Sequence, residues 1–254
     1  MSEIIAGRNA VLEALKSGRE IEKINIQKTG DGEHPSGSIK QIIAKAKEAK
    51  IPVYHSDKAF MDKLLDGAKV NCQGVIATAS DFSYCSVEYM LALAEERGEK
   101  PFIIILDGLE DPHNLGAIMR TAECAGAHGL IIPKRRSVGL TAVVAKTSAG
   151  ALEYLPVARV SNIVNTIREL KERGLWIYGT AADADSSLYR TNLTGPAAIV
   201  IGNEGEGMSR LVRESCDVLV SIPMKGKISS LNASAAAAVM LYEALRQRQE
   251  RSAD

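Results

Sequence analysis

Three polar strings that follow apolar runs carry the residues best suited to chemistry. The first spans residues 106–122 and predicts a strand, a turn and then a helix that begins near Asn114. An asparagine side chain donates and accepts hydrogen bonds, and the arginine fork matches a carboxylate or a phosphate. Taken alone, Asn114 is equally well explained as a helix cap. Arg120, two turns further along, is more simply explained as a solvated residue on a helix surface.

The second string, residues 199–208, has three glycines within six residues after an apolar run. Glycine lets the backbone turn tightly and approach a ligand closely, so the pattern predicts either a tight turn or a binding loop that starts at Gly202. The string differs from the G-x-G-x-x-G dinucleotide fingerprint, and it lacks the Lys-Ser/Thr pair of a phosphate-binding P-loop. Glu204 and Glu206 also argue against a pyrophosphate ligand at this turn.

The third string, residues 222–238, combines polar residues with a run of alanines. Ser229, Ser230 and Asn232 are each suited to cap the helix that the alanines predict. Close packing of that helix against another backbone explains the alanines. It does not explain why the whole IPMKGKISSLN segment precedes them.

The apolar runs around these strings predict the elements that position them. Strands are predicted at residues 102–106, 130–132, 155–157, 176–178, 198–201 and 218–222, and helices at 162–173 and 231–248. Alternating strands and helices are typical of an α/β fold with a mainly parallel sheet. In such sheets ligands bind beyond the carboxyl ends of the strands, and each of the three strings begins at such an end.

The first part of the chain predicts a smaller α/β unit with helices and strands in the order α-β-α-β-α-β. Two of its strands are predicted at residues 51–54 and 74–78, and a helix through Leu65 follows the capping pair Ser56-Asp57. Residues 80–100 hold 2 basic and 5 acidic side chains. We interpret them as a linker with one helix, at residues 87–97. The predicted domains are therefore residues 1–79 and 101–254, on either side of the linker 80–100.

Composition excludes few functions. Lys+Arg and Asp+Glu both total 31 in 254 residues, which neither indicates nor excludes nucleic-acid binding, because a local basic patch is enough to engage phosphates. The four cysteines form no C-x-x-C pair, so they predict packing in a reducing compartment rather than a metal site or disulfides. The charged N-terminus and the lack of an apolar run of about 18 residues predict a cytoplasmic enzyme or binding protein.

All three strings, in this order, resemble the motifs of the SpoU/TrmH family of SPOUT RNA methyltransferases, over about residues 101–248. Within that family the chain is most similar to enzymes that methylate the ribose 2′-hydroxyl of a guanosine in 23S ribosomal RNA. The GRNAVLEAL and NCQGVIA segments resemble the substrate-binding domain of those enzymes, which is similar in fold to ribosomal protein L30e. The resemblance also implies a trefoil knot in the C-terminal domain.

The resemblance implies S-adenosylmethionine as the cofactor, RNA as the substrate, a homodimer and no metal. It implies cofactor contacts at Gly202, Ile222 and Leu231, and catalytic roles for Asn114, Arg120, Glu204, Ser230 and Asn232. Two roles are open for Arg120, because an arginine stays protonated in ordinary surroundings. In one role Arg120 loses a proton transiently and accepts the proton of the ribose hydroxyl. In the other it stays cationic, binds a phosphate and stabilises the negative charge that forms on the ribose oxygen. The second role is physically simpler.

Other functions stay open at this point. One alternative is a transfer-RNA ribose methyltransferase of the same family, although the smaller transfer-RNA enzymes usually lack the substrate-binding domain. A second is a non-catalytic RNA-binding protein, in which the first unit would serve equally well, but the presence of Arg120, Ser230 and Asn232 favours an active enzyme. A nucleotide-dependent oxidoreductase fits an α/β sheet with glycine-rich loops, but the missing G-x-G-x-x-G pattern argues against it.

Overall fold

The computed structural model describes residues 3–17, 19, 21–28, 37–65, 71–79, 82–228 and 230–251. Contacts between residues divide the chain into two compact units, Met1–Ser83 and Tyr84–Asp254. Ser229, one of the predicted helix caps, lies outside the described residues.

The first unit is a four-stranded sheet, in the order β1-β4-β2-β3, with its helices between the strands in sequence. Its elements are β1 (Glu3–Ala6), α1 (Arg8–Lys16), β2 (Ile21–Gln27), α2 (Gly37–Glu48), β3 (Val53–Ser56), α3 (Lys58–Leu64) and β4 (Val75–Ala79). The sheet is mixed, because β4 runs antiparallel to β1 and β2 while β2 and β3 are parallel. The prediction began this unit with a helix and missed β1, which is too short to show a strand period.

Local sequence explains the third helix of this unit. Asp57 caps α3 by accepting a hydrogen bond from the backbone N–H of Phe60 at 2.8 Å, as its sequence position predicts. Met61 is the buried residue of this short helix. The predicted strands at 51–54 and 74–78 are observed as β3 and β4, shifted along the chain by two residues and one residue.

The second unit contains a sheet whose seven described strands are all parallel, in the order β7-β6-β5-β10-β8-β11-β9. Its elements are α4 (Val87–Glu96), β5 (Phe102–Asp107), α5 (Pro112–Cys124), β6 (Gly129–Pro133), α6 (Ala142–Thr147), β7 (Val157–Val160), α7 (Ile163–Glu172), β8 (Trp176–Thr180), β9 (Ser186–Ser187), β10 (Ala197–Gly202), α8 (Arg210–Ser215), β11 (Val218–Ser221) and α9 (Ala233–Arg251). The predicted α/β fold with a mainly parallel sheet is confirmed. The prediction missed β9, α6 and α8, which are six residues long or shorter.

The centre of this sheet is buried on both faces. The strands β5 and β10 pair in parallel and consist almost entirely of buried apolar residues. Such continuous apolar runs are typical of parallel strands covered by helices on both sides. The site-bearing loops therefore extend from a rigid, solvent-excluded layer.

Residues 84–100, assigned from the sequence to a linker, belong to the second unit. The backbone N–H of Cys85 donates to the carbonyl oxygen of Val157 at 2.8 Å, so the chain joins the edge of the sheet there. The helix α4 follows, and its Met90 and Ala94 are fully buried.

The C-terminal helix is tied to the start of the central strand β5. Arg248 of α9 donates hydrogen bonds to the carbonyl oxygens of Gly195 at 2.6 Å, Lys100 at 3.0 Å and Pro101 at 3.2 Å. Its guanidinium also lies 4.5 Å from the ring centroid of Phe102. One arginine therefore joins the last helix to the beginning of the sheet. The trefoil knot and the likeness of the first unit to L30e stay predictions.

A buried histidine makes the stability of this unit depend on pH. The Nδ1 atom of His128 accepts a hydrogen bond from the backbone N–H of Phe102 at 3.1 Å, so the ring is neutral and carries its proton on Nε2, 3.0 Å from Glu99. Burial lowers the pKa of His128 below its ordinary value of 6.5, although Glu99 opposes the shift. The unfolded chain therefore binds a proton at a higher pH than the folded chain, and folding stability falls as the pH drops below about 6.5.

We expect the free energy of unfolding to decrease between pH 7.0 and 5.5 by up to about 1.4 kcal/mol per pH unit. Urea denaturation at the two pH values measures this decrease. The glutamine in His128→Gln keeps a neutral hydrogen-bond acceptor but does not titrate. In this variant the free energy of unfolding should fall less between the two pH values, by the amount that other titratable groups contribute. An equal decrease in both proteins would show that His128 is not its source.

Candidate active site

The loops after three neighbouring strands enclose one pocket of about 310 Å³. The strands β10, β8 and β11 lie side by side in the sheet, and all are parallel, so their carboxyl ends share one edge. Thr180 and Gly202 are the last residues of β8 and β10, Ile222 directly follows β11, and all three line the pocket. Leu231 lines it too, just before α9. The three residues predicted to contact a cofactor, Gly202, Ile222 and Leu231, therefore lie around one cavity.

The glycine-rich string forms a closed turn at the end of β10. Asn203 donates from its backbone to the carbonyl oxygen of Gly207 at 3.1 Å, and its side-chain oxygen accepts from the backbone N–H groups of Gly205 and Glu206. A Cβ atom on Gly202 would overlap the backbone of Gly207. The turn therefore needs glycine at position 202 to close. We name residues 203–207 the glycine turn.

Glu204 connects the glycine turn to the first string. It accepts a hydrogen bond from the side-chain amide of Asn114, which is 8% exposed. The same amide nitrogen donates to Asp111 at 3.1 Å. Two loops that are distant in sequence are therefore held together by a buried amide and two carboxylates.

The start of α5 differs from the prediction. Asp111 is the cap, accepting a hydrogen bond from the backbone N–H of His113 at 2.9 Å, and Pro112 opens the helix. Asn114 therefore lies inside the first turn and does not cap the helix. Aspartate followed by proline is a common way to begin a helix, because proline has no N–H to satisfy and its φ is already helical.

The third string divides between the pocket and the helix start. Ser230 and Leu231 line the pocket. Asn232 caps α9 by accepting from the backbone N–H and the hydroxyl of Ser234, at 2.9 and 2.6 Å. Asn232 is not among the residues that line the pocket. Of the three predicted caps, the one observed in the described chain is Asn232.

Arg120 lies apart from the pocket of its own chain. It is exposed on α5, and it lines neither this pocket nor the cavity beside it. Within the described residues, no hydrogen bond or ion pair involves its side chain. The structure therefore brings Glu204, Ser230 and, through Glu204, Asn114 together, and leaves the Arg120 guanidinium free at the surface.

One wall of the pocket is formed by a loop that the sequence-based prediction missed. Residues 181–183 follow β8, and they line the pocket together with Thr180 and Arg213. Arg213 donates two hydrogen bonds to Asp183, at 2.9 and 3.0 Å, which lower the pKa of that carboxyl. The signal available in the sequence was the end of a predicted strand followed by small residues and an aspartate.

The pocket combines apolar walls with negative charge. Its apolar part consists mainly of Ile201, Met208, Val220, Ile222, Met224 and Leu231. Glu204 and Glu206 lie on the glycine turn at its rim, while the charge of Asp183 is balanced by Arg213. Such a pocket suits a ligand that has a flat, weakly polar part and a positive charge.

Two of the three thiols of the second unit, those of Cys85 and Cys216, are unsuited to nucleophilic chemistry at neutral pH. Burial raises the pKa of Cys85 to about 11 and that of Cys216 to about 12. The thiolate is the reactive form, so both cysteines act in packing. In the described ranges, no cluster of three or more His, Cys, Asp or Glu side chains could hold a metal ion. No helix among the described residues has the length and apolar character needed to cross a membrane.

Comparison with known families identifies the class of protein. Residues 101–242 match the SpoU rRNA methylase family, and residues 4–85 match the family described as RNA 2′-O ribose methyltransferase substrate binding. The chain belongs to the SpoU rRNA methylase family. Membership confirms the predicted class of enzyme, an S-adenosylmethionine-dependent RNA methyltransferase.

Individual relatives agree with this class. The chain is 46% identical to a putative TrmH family tRNA/rRNA methyltransferase, YacO, of Bacillus subtilis, over 97% of this chain and 96% of the relative. The SpoU methyltransferase AviRb from Streptomyces viridochromogenes, solved in complex with AdoMet, is 25% identical with a TM-score of 0.61, over 98% of this chain and 91% of AviRb. The TrmH/SpoU tRNA modifying enzyme of A. aeolicus is 30% identical with a TM-score of 0.55, but the match covers 65% of this chain and 87% of that enzyme.

Proposed function

We propose that this enzyme transfers a methyl group from S-adenosylmethionine to the ribose 2′-hydroxyl of a guanosine in 23S ribosomal RNA. The observation that carries the proposal is the meeting of the second and third strings in one pocket, with Asn114 of the first string bonded to its rim through Glu204. The match of residues 4–85 to a family named for substrate binding in RNA 2′-O ribose methyltransferases supports the ribose hydroxyl as the acceptor.

The residues around the pocket fit S-adenosylmethionine. Ile222 and Leu231 offer apolar contacts to a flat ring, and the backbone at Gly202 approaches without a side chain. Glu204 and Glu206 favour a positively charged ligand in the same pocket. When bound, the cofactor supplies a methyl group activated by a positively charged sulfur. We assign Gly202, Ile222 and Leu231 to its binding.

The catalytic residues divide into those that hold the site and one that acts on the RNA. Asn114 and Glu204 fix the glycine turn against α5, and Asn232 fixes the start of α9, so that Ser230 is held at the pocket. Arg120 stays cationic, binds the phosphate beside the target ribose and favours loss of the hydroxyl proton through its charge.

Arg120 acts, in this proposal, across a homodimer. Its exposed guanidinium lies outside the pocket of its own chain, which fits action at the pocket of a second copy. The helix α9 offers a surface for such a contact, because Ala235 and Tyr242 are exposed and Ala238 and Val239 between them are only half-buried. Small residues spaced in this way permit close packing of a helix against its symmetry mate. Light scattering at micromolar concentration is expected to give the molar mass of a dimer. The molar mass of a monomer would contradict this part of the proposal.

Ribosomal RNA is favoured over transfer RNA by the first unit. The match to the A. aeolicus tRNA modifying enzyme covers only 65% of this chain, whereas the two family models together reach from residue 4 to residue 242. We propose that residues 1–79 choose the RNA. The exposed Lys40, Lys47 and Lys50 and the half-buried Lys45 of this unit are candidates for phosphate contacts.

Comparing two unmodified transcripts tests the choice of RNA. Purified enzyme with methyl-labelled S-adenosylmethionine is expected to label a 23S rRNA transcript at one guanosine and to leave a mixture of tRNA transcripts unlabelled. Labelling of tRNA alone would overturn the assignment to ribosomal RNA. Binding of RNA without any transfer would favour the non-catalytic alternative.

A further inference from the structure

A second cavity, of about 560 Å³, lies next to the pocket and shares the glycine turn with it. Arg135 and Arg136, which lie in the loop between β6 and α6, also line this cavity. Both arginines are exposed, and within the described part of the chain neither side chain has a hydrogen bond or ion pair. The pair is therefore available to a ligand that enters beside the glycine turn.

The loop that presents these arginines is anchored on both sides of them. Before the pair, the backbone N–H of Lys134 donates to the carbonyl oxygen of Val160 at 2.8 Å. After it, the backbone N–H of Val138 donates to the carbonyl oxygen of Leu109 at 2.9 Å, and that of Leu140 to the hydroxyl of Tyr84, also at 2.9 Å. The arginines thus occupy the apex of a fixed loop.

Arg136 has a φ of 53°, in the left-handed region that side chains other than glycine rarely adopt. Such a conformation costs of order 1–3 kcal/mol and persists where the surrounding structure fixes it. An arginine in this conformation, directly beside a second arginine, combines backbone strain with repulsion between like charges. A phosphate bound by both guanidinium groups would relieve the repulsion between their charges.

Charged side chains of both signs line the cavity. Beside the two arginines they are Asp107, Glu110, Glu204 and Glu206. The carboxylate of Asp107 already accepts a hydrogen bond from the backbone N–H of Ser209 at 2.7 Å. A phosphate is attracted to the arginines and repelled from the carboxylates, whereas ribose hydroxyls donate well to carboxylate oxygens. The cavity therefore suits a ribose-phosphate unit whose phosphate binds the arginines and whose hydroxyls bind the carboxylates.

From this arrangement we infer that Arg135 and Arg136 bind a backbone phosphate of the substrate RNA and hold the strand against the glycine turn. The inference rests on the proposed function, since it takes RNA as the ligand. Both arginines are positioning residues: they determine how the RNA enters the site without touching the reacting atoms.

The variants for the test are Arg135→Ala, Arg136→Gly and the double variant. Glycine is chosen at position 136 because it adopts the observed φ without strain, so the loop keeps its shape. Arg168→Ala is the matched control, since Arg168 is an exposed arginine of the same unit on α7. The substrate is a 23S rRNA transcript.

We expect each single variant to raise the KM for RNA about 10-fold, and the double variant to raise it about 100-fold. In all three variants kcat should stay nearly unchanged, and the Kd for S-adenosylmethionine should stay within about twofold of the parental value. In filter binding, the slope of log affinity against log salt should fall by about 0.7–0.9 for each phosphate that the variant no longer neutralises. Arg168→Ala should keep the KM for RNA within about twofold of the parental value and should keep the parental salt slope. An unchanged KM in the double variant, or a raised KM with the parental salt slope, would overturn the inference.

Filter binding needs no turnover, so the inference and the proposed function can fail separately. If the parent binds RNA but transfers no methyl group, the proposed function fails while the salt slopes still test the arginines. If the parent is active and the double variant behaves like Arg168→Ala, the inference alone fails.

Discussion

Replacing Arg120 with alanine is expected to lower the single-turnover rate of RNA methylation by about 10²–10³-fold, the effect of deleting one preorganised electrostatic group. The affinity for S-adenosylmethionine should barely change, because Arg120 does not line the pocket. Arg120→Lys should keep measurable activity, since it retains the charge and loses only the fork that binds a phosphate bidentately.

The control for this prediction is Arg168→Ala, which removes the same charge from α7 and should keep the parental rate. Mixing Arg120→Ala subunits with subunits whose cofactor pocket is disabled adds a direct test of action across the dimer. If Arg120 serves the pocket of the other copy, the mixed dimer retains one pocket with an intact cofactor site and an intact arginine. Near-parental turnover in Arg120→Ala itself would remove this residue from the mechanism.

Gly202→Ala is expected to weaken the binding of S-adenosylmethionine about 10- to 100-fold. The added Cβ would overlap the backbone of Gly207, so the glycine turn has to shift, and forcing an extra carbon into a packed site costs typically 1–3 kcal/mol. Calorimetric titration of S-adenosylmethionine measures the affinity, and circular dichroism at the same temperature checks that the variant is folded.

The same turn provides the matched control, Gly205→Ala. A Cβ at position 205 would meet only the side-chain oxygen of Asn203, at 3.8 Å, which is ordinary contact. This variant should bind S-adenosylmethionine within about twofold of the parent. Equal losses in Gly202→Ala and Gly205→Ala would mean that any change in the turn weakens binding, and parental affinity in both would place the cofactor elsewhere.

The central sheet of the second unit was predictable because its strands are buried on both faces. Short continuous apolar runs such as FIIIL at the start of β5 are typical of buried parallel strands, and the predicted strand matches the observed Phe102–Asp107 to within one residue. Short elements at the edges were missed, such as β1 and β9, because two to four residues show no period.

The helix cap at the first string was misassigned for a local reason. Asn114 has a side chain suited to capping, but the Asp111-Pro112 pair is the stronger start signal, and it leaves Asn114 free to bond Glu204. The partner of Asn114, ninety positions along the chain, could not be identified from local sequence, since it depends on how the loops meet in the folded sheet.

The positions of Arg120 and of the arginine pair show a different limit of sequence reasoning. The motif pattern singled out Arg120, yet its position outside the pocket of its own chain depends on how α5 packs within the unit. Arg135 and Arg136 fall outside the three strings, and their cavity exists only because the loop after β6 lies next to the glycine turn. Neither the position of Arg120 relative to the pocket nor that of the arginine pair relative to the glycine turn produces a periodic or local pattern in the sequence.

The most direct test of the central claim is the chemical position of the transferred methyl group. Purified enzyme is incubated with methyl-labelled S-adenosylmethionine and an unmodified 23S rRNA transcript, and the RNA is then hydrolysed with alkali. Alkaline cleavage needs a free 2′-hydroxyl, so methylation there leaves an alkali-resistant dinucleotide. We predict that the label is recovered in one such dinucleotide beginning with guanosine. Recovery of the label in ordinary mononucleotides would mean methylation of a base, and it would contradict the account.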